Sequence, residues 1–516
     1  TAEWGGGLGI TGTATTIDAC IFNDNLALNI GGGMAADYCE LTIHGSLFVH
    51  DSSASISGGL HNWHCTTTIS NSEFTDNAAV LGGAIYSDFS TASMAHVLFS
   101  DNTAEYGGAL RYWCSDLALE NVLFIQNHAY AESGALEFRT DTNEFSKPYE
   151  LTLFKSQFIE NTAANRFGAA FIQQSNTDIP ITNVLIDSCE FTDNQAERIG
   201  AIQISGNIPG TTISNSHFDR NSSTLLYGCA SFVGGASGKA FNTLFTFNEA
   251  GSGTAGAAGI ANISAFDFIN CTFAGNASPA GGAISLRRGS SSTLLNSIFW
   301  GNSPNQLVMN SITDSTPCTL NIYHCDVQDG QDSIIVLDTT TSIIQWGTGN
   351  ISSPPLFEDT LSNDFHLRNS SPCIGSGIDS LQINGSWYFA PAADMEGHPR
   401  PDPAGSAPDM GIFESSLGSP MSVTEDTLNA YRPLLRIRPN PFSGRTMLEF
   451  TLSHPARVGF DVYNVMGEKV ISLPGQAYSA GVHNLEWAPQ IKEEGMYYVV
   501  MHAANRLEIK KALLIR

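Results

Sequence analysis

The segment FSDNTAEYGGAL, Phe99–Leu110, decides the fold of this chain because its parts return at a fixed interval. Phe-x-x-Asn stands at Phe22/Asn25, Phe74/Asn77, Phe99/Asn102, Phe124/Asn127, Phe158/Asn161, Phe191/Asn194, Phe218/Asn221, Phe245/Asn248, Phe273/Asn276 and Phe299/Asn302. Phe48 fits with Asp51 in place of the Asn. The steps between the Phe residues are 25 to 28, apart from two of 34 and 33. A Gly-rich phrase follows: GGGM at 31, GGLH at 58, GGAI at 82, GGAL at 107, SGAL at 133, GAI at 200 and GGAI at 281. Self-similarity at this period marks a solenoid.

Each repeat holds short alternating stretches, such as LENVLF at 119–124 and LLNSIF at 294–299, with no helical period. Three short strands per turn of about 26 residues predict an all-β, right-handed parallel β-helix over 1–305. In such coils identical residues stack in columns about 4.8 Å apart. A Phe column makes an aromatic spine. An Asn column at a turn lets each amide bond the ones above and below. The Gly pair permits a positive φ and a corner where a Cβ would clash. The two long steps place extra residues at 139–150 and 173–182, which predicts two neighbouring protruding loops. Residues 306–416 read as the last irregular coils and a cap over the open end, 417–433 as a polar linker, and 434–516 as a small C-terminal β-sandwich.

Charge divides the chain the same way. The net charge is −27. Residues 431–516 hold 11 basic and 7 acidic side chains, a net of +4, whereas the first 430 hold 12 and 43, a net of −31. Such acidity argues against nucleic acid as a partner. No run is long and apolar enough to span a bilayer.

Parallel β-helices host polysaccharide lyases and hydrolases, whose chemistry needs particular residue sets. The β-helix carries only Lys147, Lys155 and Lys239 as lysines, and a lyase needs a cationic base beside Ca²⁺ carboxylates. Asn-Thr-Asp at 176–178 is one short element of a polygalacturonase pattern whose other elements are absent. The chain therefore reads as non-enzymatic with no cofactor, a carbohydrate-active enzyme being the alternative. Asp recurs before the ladder Asn at Asp24, Asp76, Asp101 and Asp193. Asp76 and Asp101, one strand spacing apart, either face water or share a Ca²⁺. Cys20, Cys189 and Cys271 stand two before a column Phe, which predicts buried thiols. Cys39 and Cys65 stack in adjacent coils as a disulfide candidate, with Cys318 and Cys325 a looser one.

One outward face stands out. In GGLHNWH, Leu60 points in, so His61 and Trp63 point out. Tyr86 and Asp88, Arg111 and Trp113, then Glu137 and Arg139 follow in the next coils. Aromatics interleaved with charges make this strip a candidate glycan-binding face. The other reading is ordinary strand composition with an Arg111–Glu137 cross-strand pair.

The pairing of Phe-x-x-Asn with Gly-Gly-Ala-Ile/Leu resembles the repeats of chlamydial polymorphic outer membrane proteins, a family of secreted β-helix adhesins. SSPCIGSGID (370–379), DMEGHPRP (394–401) and PDMGIF (408–413) are similar to the closing region of bacterial β-helix surface proteins. RPNPF (438–442), DVYNVMGEKV (461–470), AGVHNLEWAP (480–489) and GMYYVVMHAANRLEIKKALLIR (495–516) resemble the type A C-terminal sorting domain of the type IX secretion system. That resemblance implies partnership with the secretion machinery through 434–516. It also implies export to the outer surface of a Gram-negative, Bacteroidota-like bacterium. The expected function is an adhesin-like or structural surface protein with a glycan or protein ligand. The first residues, TAEWGGGLGI, repeat the back half of a coil. This predicts either an upstream extension or a β-helix end covered by another chain, as in a filament or sheath.

Overall fold

The computed structural model describes residues 2–515, except 141–147, 176–179, 311–315, 338–341, 422–434, 453–455, 466–467, 480, 489–493 and 504–505. The middle of each expected loop at 139–150 and 173–182, the Asn-Thr-Asp tripeptide and most of the 417–433 linker fall in these exceptions. The described residues contain strands and two short 3₁₀ turns, Gly330–Ser333 and Thr360–Ser362. No helix among them is long and apolar enough to cross a membrane.

Thr1–Pro420 form one compact unit. Its strands stack in parallel into three long sheets, with thirteen, thirteen and twelve strands among the described residues. The first sheet contains Leu60–Trp63, the second Thr66–Ser70 and the third Glu73–Thr75, so one coil visits each sheet once. This is a parallel β-solenoid, as the repeat predicts.

The Phe column runs through the third sheet in register, from Phe22↔Phe48 to Phe273↔Phe299. Consecutive rings stack with centroids 4.5 to 5.1 Å apart. The ladder is saturated. Asn102 Nδ2 donates to Asn127 Oδ1 at 2.9 Å and to Phe74 O at 2.8 Å, while its Oδ1 accepts from Asn77 N and Asn77 Nδ2, both at 3.0 Å. Every polar atom of a fully buried amide is thus satisfied.

The corners have two separate causes. At Gly82 and Gly107 φ is +62° and +67°, a region that favours glycine. Ser57, Ser133 and Phe167 take the same corner with φ of 56°, 65° and 53°. The second position is stricter: a Cβ on Gly108 or Gly200 would come within 2.1 or 1.8 Å of the next coil's backbone carbonyl. Close coil-to-coil approach, more than φ, fixes that glycine.

The coils continue to Ile343–Trp346. The following segment packs along the flank of the coils. Phe365, Leu367, Cys373, Met410 and Ile412 bury against Leu244, Ala274 and Ile298, on the outer side of the third sheet. There the outward Leu244, Ala274 and Ile298 are apolar and gain cover from this segment. The DMEGHPRP and PDMGIF phrases supply the clasp. Asp394 accepts from Glu396 N, His398 N and Glu414 N. Arg400 donates to Glu414 Oε2 at 2.9 Å and to Asn242 Oδ1 at 2.7 Å.

Met421–Arg516 form the second compact unit. It has a three-stranded and a four-stranded antiparallel sheet. Leu448 and Phe450 from one and Val462 and Val499 from the other join a single apolar cluster. Arg506–Leu514 is its last strand.

Candidate functional site

The strip of aromatics and charges read from the sequence is not an open face. His61, Tyr86, Arg111 and Glu137 do form one column in register, but they are only 5, 7, 7 and 0 % exposed. Their cover comes from the residues just before the glycine corner. Trp4, Ile30, Ile56, Leu81, Tyr106, Glu132 and Arg166 pair from coil to coil. After the corner the chain doubles back, so this column lies over the outward side of the following strand. A Cβ on Gly9 would sit 2.2 Å from the Trp4 ring, and the Arg111 guanidinium lies 5.3 Å from the Tyr106 ring centroid. Trp63, Asp88, Trp113 and Arg139 remain half-buried.

Beneath that cover sits a charged ladder. Glu137 Oε1 accepts from Arg139 at 3.0 Å, and its Oε2 lies 3.4 Å from Arg111 Nε. Arg111 and Arg139 also flank the Trp113 ring, at 5.0 and 5.3 Å. Burial raises the Glu137 carboxyl pKa against the two guanidiniums. Burial likewise pushes Asp88 up to about 6, opposed by the Tyr86 hydroxyl and Arg111. His61 is pushed down to about 4 by burial. The expected Arg111–Glu137 pair exists, then, as an internal strut.

Asp76 and Asp101 lie at a corner of the coil. Asp76 Oδ2 is 3.3 Å from His50 Nε2. Partial burial and Asp76 raise the Asp101 carboxyl. Among the described residues no three His, Cys, Asp or Glu side chains converge as a metal would need. The recurrence of Asp here has a backbone cause: Asp24, Asp76, Asp101 and Asp193 have φ between 54° and 56°, a conformation Asp and Asn tolerate best among side-chain-bearing residues.

The Cys39 and Cys65 thiols stack in adjacent coils as expected. Cys39 Sγ and Cys65 Sγ are 3.2 Å apart, both buried and both free, and Cys39 is pushed up to about 12, first by burial and then by its hydrogen bond with Cys65. Cys318 and Cys325 flank the strand Thr319–Tyr323 at opposite ends, roughly 20 Å apart by strand rise. Each instead occupies a serine column, Cys318 by Ser290 and Cys325 by Ser297. Cys189 and Cys271 are buried in the latter column, while Cys20 is exposed.

A site that the sequence reading missed lies on the second sheet. The strands Ser380–Ile383 and Ser386–Phe389 form a hairpin, turning at Asn384 and Gly385 with φ of 48° and 86°. Two positive φ values give the twist a two-residue hairpin prefers. Tyr388 OH lies 3.2 Å from Thr293 Oγ1 and also bonds Asp267, pinning the hairpin to the solenoid. Strand alternation then puts Trp387 and Phe389 on the other face, 56 and 61 % exposed, with ring centroids 6.1 Å apart. They wall a cleft of about 680 Å³. Its floor is Ser214, Asn215, Lys239, Phe241 and Asn242, and the turn at Ala393–Gly397 closes one end. The signal was present as Asn-Gly between alternating residues in SLQINGSWYF, 380–389.

The cleft joins two flat apolar rings to hydroxyl, amide and ammonium groups and to the Asp394 and Glu396 carboxylates. Ring faces stack on the C–H faces of sugars, and the polar groups can bond sugar hydroxyls. Fold and cleft together define a parallel β-solenoid with an aromatic-walled cleft on one sheet. No protein-family model matches the chain, and no curated protein matches it in sequence.

Proposed function

We propose that this chain is a secreted, non-enzymatic, adhesin-like surface protein that holds a saccharide polymer in the Trp387–Phe389 cleft. The observation that carries the reading is the pair of exposed, nearly parallel rings, their planes 24° apart, over a polar floor. A second shallow groove of about 420 Å³, lined by Thr68, Ser93, Ala118 and Thr152, lies on the same sheet in earlier coils. Two grooves along one face suit a chain of sugars better than a single small molecule. Asp326 and Asp409, which burial pushes up to about 7, line neither groove. They accept backbone N–H groups from Ser353, Gly375 and Ser415. Of the two carboxylates that line the Trp387 cleft, Asp394 and Glu396, Asp394 is committed to the backbone N–H groups of Glu396, His398 and Glu414, which supports binding over hydrolysis. Residues 434–516 serve as the address read by type IX secretion machinery, placing the solenoid on the outer surface of a Bacteroidota-like bacterium.

A glycan array with the full chain tests the ligand. Binding to neutral polysaccharides is expected for the wild type, and its loss for Trp387→Ala/Phe389→Ala. Both side chains are exposed, so the melting midpoint should stay unchanged. Equal array signals for the two proteins would overturn the reading.

A further inference from the structure

A different face of the same coils carries a second pocket. The outward positions of the first sheet become small here: Ser231, Gly259 and Ser285 pair in register, as do Val233, Ala261 and Arg287. The Tyr227 ring lies over Gly259, within 2.3 Å of where a Cβ would stand. Small residues under the covering column leave a cavity of about 350 Å³. Arg198 reaches it from the covering segment, and Arg287 and Arg288 from the strand end. Gln203, Ser231 and Asn262 add hydroxyl and amide groups, and no carboxylate lines the cavity.

That grouping runs against the composition. The first 430 residues hold only nine arginines and three lysines against 43 acidic side chains, yet three of those arginines converge here. Among the described residues Arg198 and Arg287 make no ion pair; Arg287 shares a hydrogen bond with the Tyr227 hydroxyl and Arg288 donates to Asn262 Oδ1 at 3.2 Å, but the buried Arg287 Nε–H has no acceptor. A donor fork facing a cavity without a carboxylate wants an oxyanion with two or more acceptor oxygens. The cavity exceeds what a bare tetrahedral anion fills, being roughly ten water volumes. Ser231 Oγ and Gln203 Oε1, 3.3 Å apart, with Leu226, Val233 and Ala261, offer hydroxyl partners and an apolar wall for a ring.

We infer that the Arg198–Arg287–Arg288 pocket is a binding site for an oxyanion-bearing pyranose, the anion being a sulfate ester or a carboxylate. This site is independent of the neutral-saccharide cleft at Trp387. Calorimetric titration of the full chain with N-acetylglucosamine 6-sulfate, glucuronic acid, N-acetylglucosamine and sodium sulfate tests it. Binding of at least one charged sugar is expected, weakening with salt, with N-acetylglucosamine silent at this site. Arg198→Gln/Arg287→Gln should weaken the charged sugar about tenfold or more while leaving the melting midpoint and the Trp387-dependent array signal unchanged. Trp387→Ala should leave it intact. The sulfate and uronate arms identify the anion. No binding by either charged sugar, equal binding by sodium sulfate, or charged-sugar affinity unchanged in the double variant would each overturn the inference. None of these outcomes bears on the aromatic cleft.

Discussion

Asp51 stands in the asparagine column with one oxygen that has no donor. Its Oδ1 accepts from Asn25 N and Asn25 Nδ2, both at 2.8 Å, as an Asn would. Its Oδ2 takes the place of an amide nitrogen and is buried without a partner. Burial pushes this carboxyl up to about 6, the Asn25 bonds opposing, with Asp24 raising and His50 lowering it further. The folded pKa lies above the unfolded value near 4, so the neutral form is the one the fold favours. Its contribution is complete below about pH 4 and is lost as pH rises through 6, a change of about 3 kcal/mol. Asp51→Asn is therefore expected to stabilise the solenoid at pH 7.5 but hardly at pH 4. Urea midpoints of both proteins at the two pH values check this; an equal difference at both would contradict the assignment.

At the scale of the element, the ladder and the corner explain each other. Each coil turns through a left-handed residue next to the Asn column, Asp76 and Asp101 among them, and the turn leaves inward backbone groups that only a neighbouring side chain can reach. The asparagine amide supplies that reach. Asn102→Ala strands Asn77 N, Asn77 Nδ2 and Phe74 O in a fully buried place. At about 1–3 kcal/mol per unsatisfied group, the loss should total at least about 3 kcal/mol. Thermal or urea unfolding measures it. A change below about 1 kcal/mol would mean that water replaces the amide, within the cost of a single stranded group.

For the whole molecule, the solenoid and the C-terminal unit have separate apolar cores, and residues 1–430 and 431–516 carry net charge of opposite sign. The solenoid core runs from Ile10 to Ile334, whereas the C-terminal unit has its own cluster from Leu435 to Leu514. Stability should divide in the same way. Deleting 434–516 is expected to leave the solenoid's melting midpoint unchanged. In a host with type IX secretion, the shortened chain should stay in the periplasm while the full chain reaches the surface. Fractionation and melting read the two outcomes independently. Surface display without 434–516 would remove the proposed address, and a lowered midpoint would show that the units stabilise one another.

Repetition made the solenoid legible in the sequence alone. A stacked column forces the same side chain at the same place in every coil, so Phe99, Asn102 and Gly108 announce their positions by recurring. Even the pairing of Arg111 with Glu137 and of Cys39 with Cys65 followed from register. What recurrence could not give was which outward positions stay open. The alternation that puts His61 and Tyr86 outside the barrel of strands is correct. Only the doubling back of the chain at the glycine corner, which lays Tyr106 and its column over them, buries the face. The flank over the third sheet was hidden for a related reason, since Met410 and Ile412 meet Ile298 and Leu244 across more than a hundred residues without any repeat to mark the contact. The aromatic cleft and the arginine pocket belong to the same class. Each is assembled by side chains from separate coils or from a non-repeating hairpin, and their convergence is a property of the tertiary structure because it depends on which neighbour is small enough to leave room.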